Sequence, residues 1–142
     1  TVAAAVIDQQ RHEAHQRGVT ITTDLRPAPI AGNPLLVEQL AANLIQNAIR
    51  HGSSDRNTAV RTWHRDTRSV LEAENPGPPV TAQEVNRLFE PFQRGNGRTS
   101  SAGVGLGLSI VRSVAHAHGG TASARAPDGG GLIVRVELPV HP

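Results

Sequence analysis

The sequence predicts an α/β two-layer sandwich, a mixed and largely antiparallel sheet with helices packed on one face. Three observations carry this. Stretches of helical periodicity alternate with short strand-like ones. Two pairs of the latter are separated only by tight turns, which makes them antiparallel hairpins. Finally, no repeat, linker or shift of composition divides the 142 residues, so the chain reads as one domain over 1–142.

Taken in order, residues 1–17 read as a helix with Val2, Val6 and Ile7 on one side and Gly18 as its stop. In residues 19–25 the side chains Val19, Ile21, Thr23 and Leu25 alternate as in a strand, which the Pro27, Pro29 and Gly32 cluster ends. Residues 33–51 are the most informative. Asn33 is a good N-cap, and Pro34 follows at the first helical position, where a missing N–H costs nothing. At about 100° per residue, Val37, Leu40, Ala41, Leu44, Ile45 and Ala48 form one apolar stripe, while Asn43, Asn47 and Arg50 share an adjacent narrow face. Two amides four residues apart beside a cation are either a solvated face or the wall of a polar, anionic site.

Residues 52–57 are a polar loop, and 59–64 with 69–74 form a hairpin joined by Arg65, Asp66, Thr67 and Arg68. The run Asn75-Pro76-Gly77-Pro78-Pro79 cannot be regular structure, whereas Thr81 and Glu84 form a capping box that opens a short helix to Leu88. Phe89 to Phe92 end that helix. Residues 93–102 lack periodicity and are rich in small polar side chains, which predicts a mobile loop. Gly103-Val104-Gly105-Leu106-Gly107-Leu108 then enters a helix through His118, stopped by Gly119 and Gly120, and strands at 121–126 and 132–138 flank a turn at 127–131.

Composition excludes several classes. All fourteen basic residues are Arg, so the high isoelectric point of 10.9 reflects missing Lys and Tyr; the net charge is only +2. With three aromatic residues there is little to stack on bases, so nucleic acid is not an expected partner. The absence of Cys excludes disulfides and thiolate metal sites, and the seven His residues lack ligand spacing. No apolar run is long enough to cross a bilayer and no leader is present, so this segment is expected to make no membrane contact. One feature does point to a ligand. A glycine-rich turn opening into a helix offers unpaired N–H groups and the positive end of the helix dipole to an anion, usually phosphate. Its spacing is not that of a Walker loop.

With Asn43-x-x-x-Asn47-Ala48, Asn75-x-Gly77, Phe89-x-x-Phe92 and Gly103-x-Gly105-x-Gly107-Leu108 in this order, the chain resembles the catalytic ATP-binding domain of two-component sensor histidine kinases. The four blocks match that family's N, G1, F and G2 boxes, and the resemblance spans nearly the whole chain. It implies the GHKL-type ATP fold, with Mg-ATP between the N-box helix and a lid over residues 93–102. By that resemblance the ATP-binding residues are Asn43, Asn47, Arg50, His51, Asn75, Gly77, Phe89, Phe92, Arg94, Arg98, Gly103, Val104, Gly105, Leu106, Gly107 and Leu108. Asn47 is the Mg²⁺ ligand, and Arg50 and Arg94 are the catalytic cations. The γ-phosphate is expected to pass to a histidine on a separate dimerisation and phosphoacceptor domain, and from there to a response regulator. The chain is then a cytoplasmic domain of a plasma-membrane sensor kinase, monomeric when isolated.

Asn43 separates this chain from water-activating relatives and from anti-sigma-factor serine kinases, which carry Glu there; an amide cannot act as a general base, so transfer to an outside nucleophile is favoured. Three positions depart from the family pattern: Asn75 replaces its adenine-binding Asp, Pro79 its second G1 glycine, and His51 the aromatic that often covers adenine. The alternatives are a non-catalytic nucleotide-binding or interaction module with a degenerate G1 box, or an anti-sigma-factor-like serine kinase. At position 75 the amide is expected either to accept from adenine or to flip and donate to guanine. His12-Glu13 is similar to the family's acceptor pair, but His12 lies only 31 residues (43 minus 12) before Asn43, too close for a separate hairpin.

Overall fold

The computed structural model describes residues 2–51, 57–90 and 104–141. Four helices and five strands follow in the order α1 (Val2–Gln16), β1 (Thr20–Leu25), α2 (Pro34–His51), β2 (Asn57–Arg65), β3 (Arg68–Asn75), α3 (Ala82–Arg87), α4 (Val104–Ala117), β4 (Thr121–Arg125) and β5 (Leu132–Pro139). One sheet runs β1-β2-β3-β5-β4. Only β1 and β2 pair in parallel, with α2 as the crossover that a parallel pair requires; the other three pairings are antiparallel. This is the mixed, largely antiparallel sandwich that the pattern predicts.

Register explains why the two faces of the sheet differ. The cross-strand rows Val60, Ala73, Val134, Ala124 and Thr62, Leu71, Val136, Ala122 point to the helices. There they complete two core clusters, one between α2 and α4 around Leu40, Leu44 and Val111, the other between α1 and α2 around Val6, Ile7, Ile45 and Ile49. Every member of the predicted α2 stripe is buried. The alternate rows carry charge. Glu72 is buried between Arg61 (Nη1 to Oε1, 2.7 Å) and Arg135 (Nη2 to Oε2, 2.8 Å), Arg61 reaches Glu74 as well, and the Arg135 guanidinium lies 5.4 Å from the centroid of the Trp63 ring. A one-residue slip would set this ladder against Leu40 and Leu44, so apolar and ionic rows enforce the same register.

Local signals end the elements as expected. Asn33 Oδ1 accepts from the N–H of Leu35 (2.9 Å) and Leu36 (3.1 Å). Thr81 and Glu84 form the capping box in both directions. The β2–β3 connection is tighter than predicted: Arg65 pairs with Arg68, and Asp66 takes φ 55°, a left-handed conformation that Asp tolerates. A further correction concerns the glycine-rich segment. Helix α4 already begins at Val104, so Gly105 and Gly107 belong to its first turn rather than to a turn preceding it. Among the described residues no helix is long and apolar enough to cross a membrane.

The N-terminus of α2 is latched to the end of α4. His118 accepts from the Asn33 N–H through Nε2 (3.2 Å), while its Nδ1, 2.9 Å from the Val114 carbonyl, must carry the proton. The imidazole lies so close to Gly32 that a Cβ there would sit 2.3 Å from its Cδ2.

Candidate functional site

The polar strip of α2 lies beside its apolar stripe, as helical geometry demands. Asn47 is 8% exposed, and Asn43 is half-buried with its Nδ2 enclosed and without a hydrogen-bond partner among the described residues. An unpaired buried donor costs about 1–3 kcal/mol, a cost that an acceptor brought from outside the described fold would relieve.

Three other blocks converge on the same helix. Asn75, at the end of β3 and 8% exposed, donates through Nδ2 to the carbonyl of Ala48 (3.0 Å). A carbonyl can only accept, so the amide orientation follows: its nitrogen faces α2, with one of its two N–H groups spent on Ala48, and its oxygen is turned away from that carbonyl. Phe89 and Leu108 pack in the cluster that holds Leu44 and Ala48, and Arg112 caps the Phe89 ring at 5.8 Å. The F-box aromatic thereby joins α2 to the start of α4. At Gly77 and Gly107 an added Cβ would meet nothing within 4 Å among the described atoms, so packing does not demand glycine at either position and space is left beside each.

The loop after Asn75 is braced from below. Gly131 donates its N–H to the Pro78 carbonyl (3.1 Å). It adopts φ 89°, and a Cβ on it would lie 2.3 Å from the Asn75 carbonyl oxygen; the corresponding atom on Gly130 (φ 97°) would lie 2.4 Å from that of Gly77. The β4–β5 turn thus fixes the Pro-Gly segment by backbone contact that only glycine permits. Sequence reasoning treated residues 127–131 as a plain turn; two adjacent glycines with Asp128 and Gly129 before them were the available signal.

Arg50 is not free. Its Nε donates to Glu13 Oε2 (2.9 Å), which also accepts from Arg17 Nε (3.2 Å). The Arg50 hydrogen bond first, then the charges of Arg50 and Arg17 and a bond from Gln46, outweigh burial and hold the Glu13 carboxyl below its usual range. Stability from this cluster is present above pH ~4.5 and is lost as pH falls through the lowered value. Of the remaining predicted residues, His51 ends α2, and Val104, Gly105 and Leu106 form the first turn of α4; their side chains, and Phe92, Arg94, Arg98, Gly103 and the expected lid, lie outside the described residues. No cluster of three His, Cys, Asp or Glu side chains that could hold a metal ion is present among the described residues. An apolar groove of about 560 Å³, lined by Pro29, Ile30, Val37, Leu40 and Val136, opens at the opposite end of α2 from Asn47.

Comparison with known proteins agrees with this geometry. The family described as histidine kinase-, DNA gyrase B- and HSP90-like ATPase matches residues 32–142. The sensor protein CutS of Streptomyces coelicolor is 48% identical over 142 residues, covering 98% of this chain and 34% of CutS. The sensor histidine kinase CusS of Escherichia coli is 32% identical over 128 residues, covering 89% of this chain and 26% of CusS. The chain therefore spans about a third or less of the length of these relatives. Among solved structures, the mycobacterial sensor histidine kinase MprB superposes with TM-score 0.80 at 26% identity, covering 98% of this chain and 95% of that one. The catalytic domain of histidine kinase ThkA superposes with TM-score 0.85 at 22% identity, covering 99% and 91%. Fold, ordered motifs and relatives converge: the chain belongs to the histidine kinase-, DNA gyrase B- and HSP90-like ATPase family, as an ATP-binding domain of the sensor-histidine-kinase kind.

Proposed function

We propose that this domain binds Mg-ATP against the α2 strip and delivers the γ-phosphate to a histidine on a separate helical dimerisation and phosphoacceptor domain. The carrying observation is the strip itself: Asn43 with its buried Nδ2, unpartnered among the described residues, Asn47, and Arg50 on one narrow face, with Asn75 tied to the same helix. That a solved relative, ShkA, is described in complex with the ATP analogue AMPPNP, at 25% identity over 97% of this chain, supports the nucleotide.

The donor set fits magnesium only in one way. Asn47 offers a neutral amide oxygen, and no carboxylate cage exists among the described residues, so the ion would be held mainly by the phosphates it accompanies. When bound, it neutralises charge on the phosphate oxygens. The protein's part is positioning: Asn43 Nδ2 donates to a phosphate oxygen, Arg50 and the lid residues Arg94 and Arg98 oppose the charge of the transferring group, and the first turn of α4 turns its N–H groups to the same anion. At position 43 no carboxylate is available to deprotonate water, so ATP persists until a nucleophile arrives from outside. His12, exposed on α1, is not proposed as that nucleophile, since only 31 residues (43 minus 12) separate it from Asn43. On this reading the acceptor histidine lies on another domain of the same kinase, a cytoplasmic part of a membrane sensor, and a separate response regulator takes the phosphate next.

The orientation of Asn75 supplies the test. With its nitrogen turned to Ala48, the amide would present its oxygen to the base, which would suit the amino group of adenine and oppose the carbonyl of guanine. The soft discrimination expected of a freely flipping amide is replaced by a preference for ATP. In competition against a fluorescent ATP analogue, ATP should displace the probe at least about tenfold better than GTP, the equivalent of one hydrogen bond to a polar group of the base. Equal displacement would show that Asn75 does not read the base.

A further inference from the structure

We infer that Glu13 is a positioning residue of the nucleotide site: from α1 its carboxylate grips Arg50 of α2 by Nε and turns the guanidinium for a second anion. The inference rests on the reading above that the α2 strip is the phosphate side. A guanidinium carries five N–H donors in a rigid fork. Glu13 occupies one of them, at the Nε edge (2.9 Å), and the two Nη groups have no partner within the described fold. Arg50 follows Asn47 by three residues and Asn43 by seven, so those Nη groups belong to the polar strip.

The grip is firm at its base. The Glu13 carboxylate is held at once by Arg17 (3.2 Å) and by Arg50 (2.9 Å), and Gln10, one turn earlier on α1, donates to the Ala42 carbonyl of α2 (3.0 Å). The two helices therefore share a polar seam beside their apolar contact. An arginine restrained in this way has less conformational freedom to lose on meeting a phosphate. Glu13 also subtracts a charge from the site. Orientation and charge act in opposite directions, and substitution separates them.

The experiment titrates a fluorescent ATP analogue with Mg²⁺ into the wild type, Glu13→Gln and Glu13→Leu, each with Arg50 intact and with Arg50→Ala, alongside thermal melts. Gln keeps an oxygen to accept from Arg50 Nε without the charge; Leu keeps neither. Glu13→Leu should weaken binding about 5-fold, the scale of one mobilised long side chain. Glu13→Gln should bind more tightly than Glu13→Leu, and Glu13→Leu should have no further effect once Arg50 is Ala. Equal tightening by Gln and Leu would make Glu13 a competitor for Arg50 and overturn the inference. So would an undiminished effect of Glu13→Leu in the Arg50→Ala background, which would assign it to α1 packing. An Arg50→Ala variant that binds like the wild type would instead overturn the phosphate-side reading, and the inference with it.

Discussion

Asn47→Ala should reduce affinity for Mg-ATP by on the order of 100-fold, the scale of one lost interaction with a charged group, while leaving the fold intact. The expectation comes from where Asn47 sits. It is buried on the polar strip of α2, beside rather than within the apolar stripe of Leu40, Ala41, Leu44, Ile45 and Ala48. On the proposed reading truncation removes an amide oxygen from the ligand side and no apolar side chain from the core, so the stability change should stay below ~1 kcal/mol. Calorimetric titration checks the first number and chemical denaturation the second. Unchanged affinity would remove Asn47 from the site; a large loss of stability would make it a structural residue.

Gly131→Ala should be the most destabilising of the small substitutions considered, by roughly 3–5 kcal/mol. A side chain at φ 89° is strained, and its Cβ would lie 2.3 Å from the Asn75 carbonyl oxygen, a backbone atom that cannot turn aside. Against a total stability of about 5–15 kcal/mol, that is a large fraction. Because the contact is with Asn75 itself, surviving protein should also bind ATP more weakly. Gly129→Ala is the internal control: in the same turn, a Cβ there meets nothing within 4 Å. Denaturation midpoints that fall equally for both variants would contradict the brace.

The elements of this fold were legible because each is specified locally. The Asn33 cap, the Thr81–Glu84 box, the α2 stripe and both hairpins depend on residues a few positions apart, and the structure reproduces them with ends shifted by one or two residues. The four motif blocks were legible for the same reason. What escaped the sequence is long-range and polar. Glu13 and Arg50 are separated by 37 positions, and Asn75 and Ala48 by 27; neither pairing has a periodicity, and each exists only after the helices dock on the sheet. The ionic ladder of Arg61, Glu72 and Arg135 was hidden too, since the central place of β5 between β3 and β4 cannot be read from strand-like alternation. The start of α4 was placed too late because glycine is a poor helix former, and packing of Leu108 and Val111 overrides that preference.

Transfer to an external histidine is tested most directly by incubating the purified chain with its separately purified cognate acceptor hairpin and γ-labelled ATP. The account predicts Mg²⁺-dependent label on the hairpin, stable to alkali and labile to acid, with none on the chain alone and little free phosphate released without the hairpin. Label on His12 of the isolated chain, or hydrolysis without acceptor as fast as transfer with it, would contradict the account.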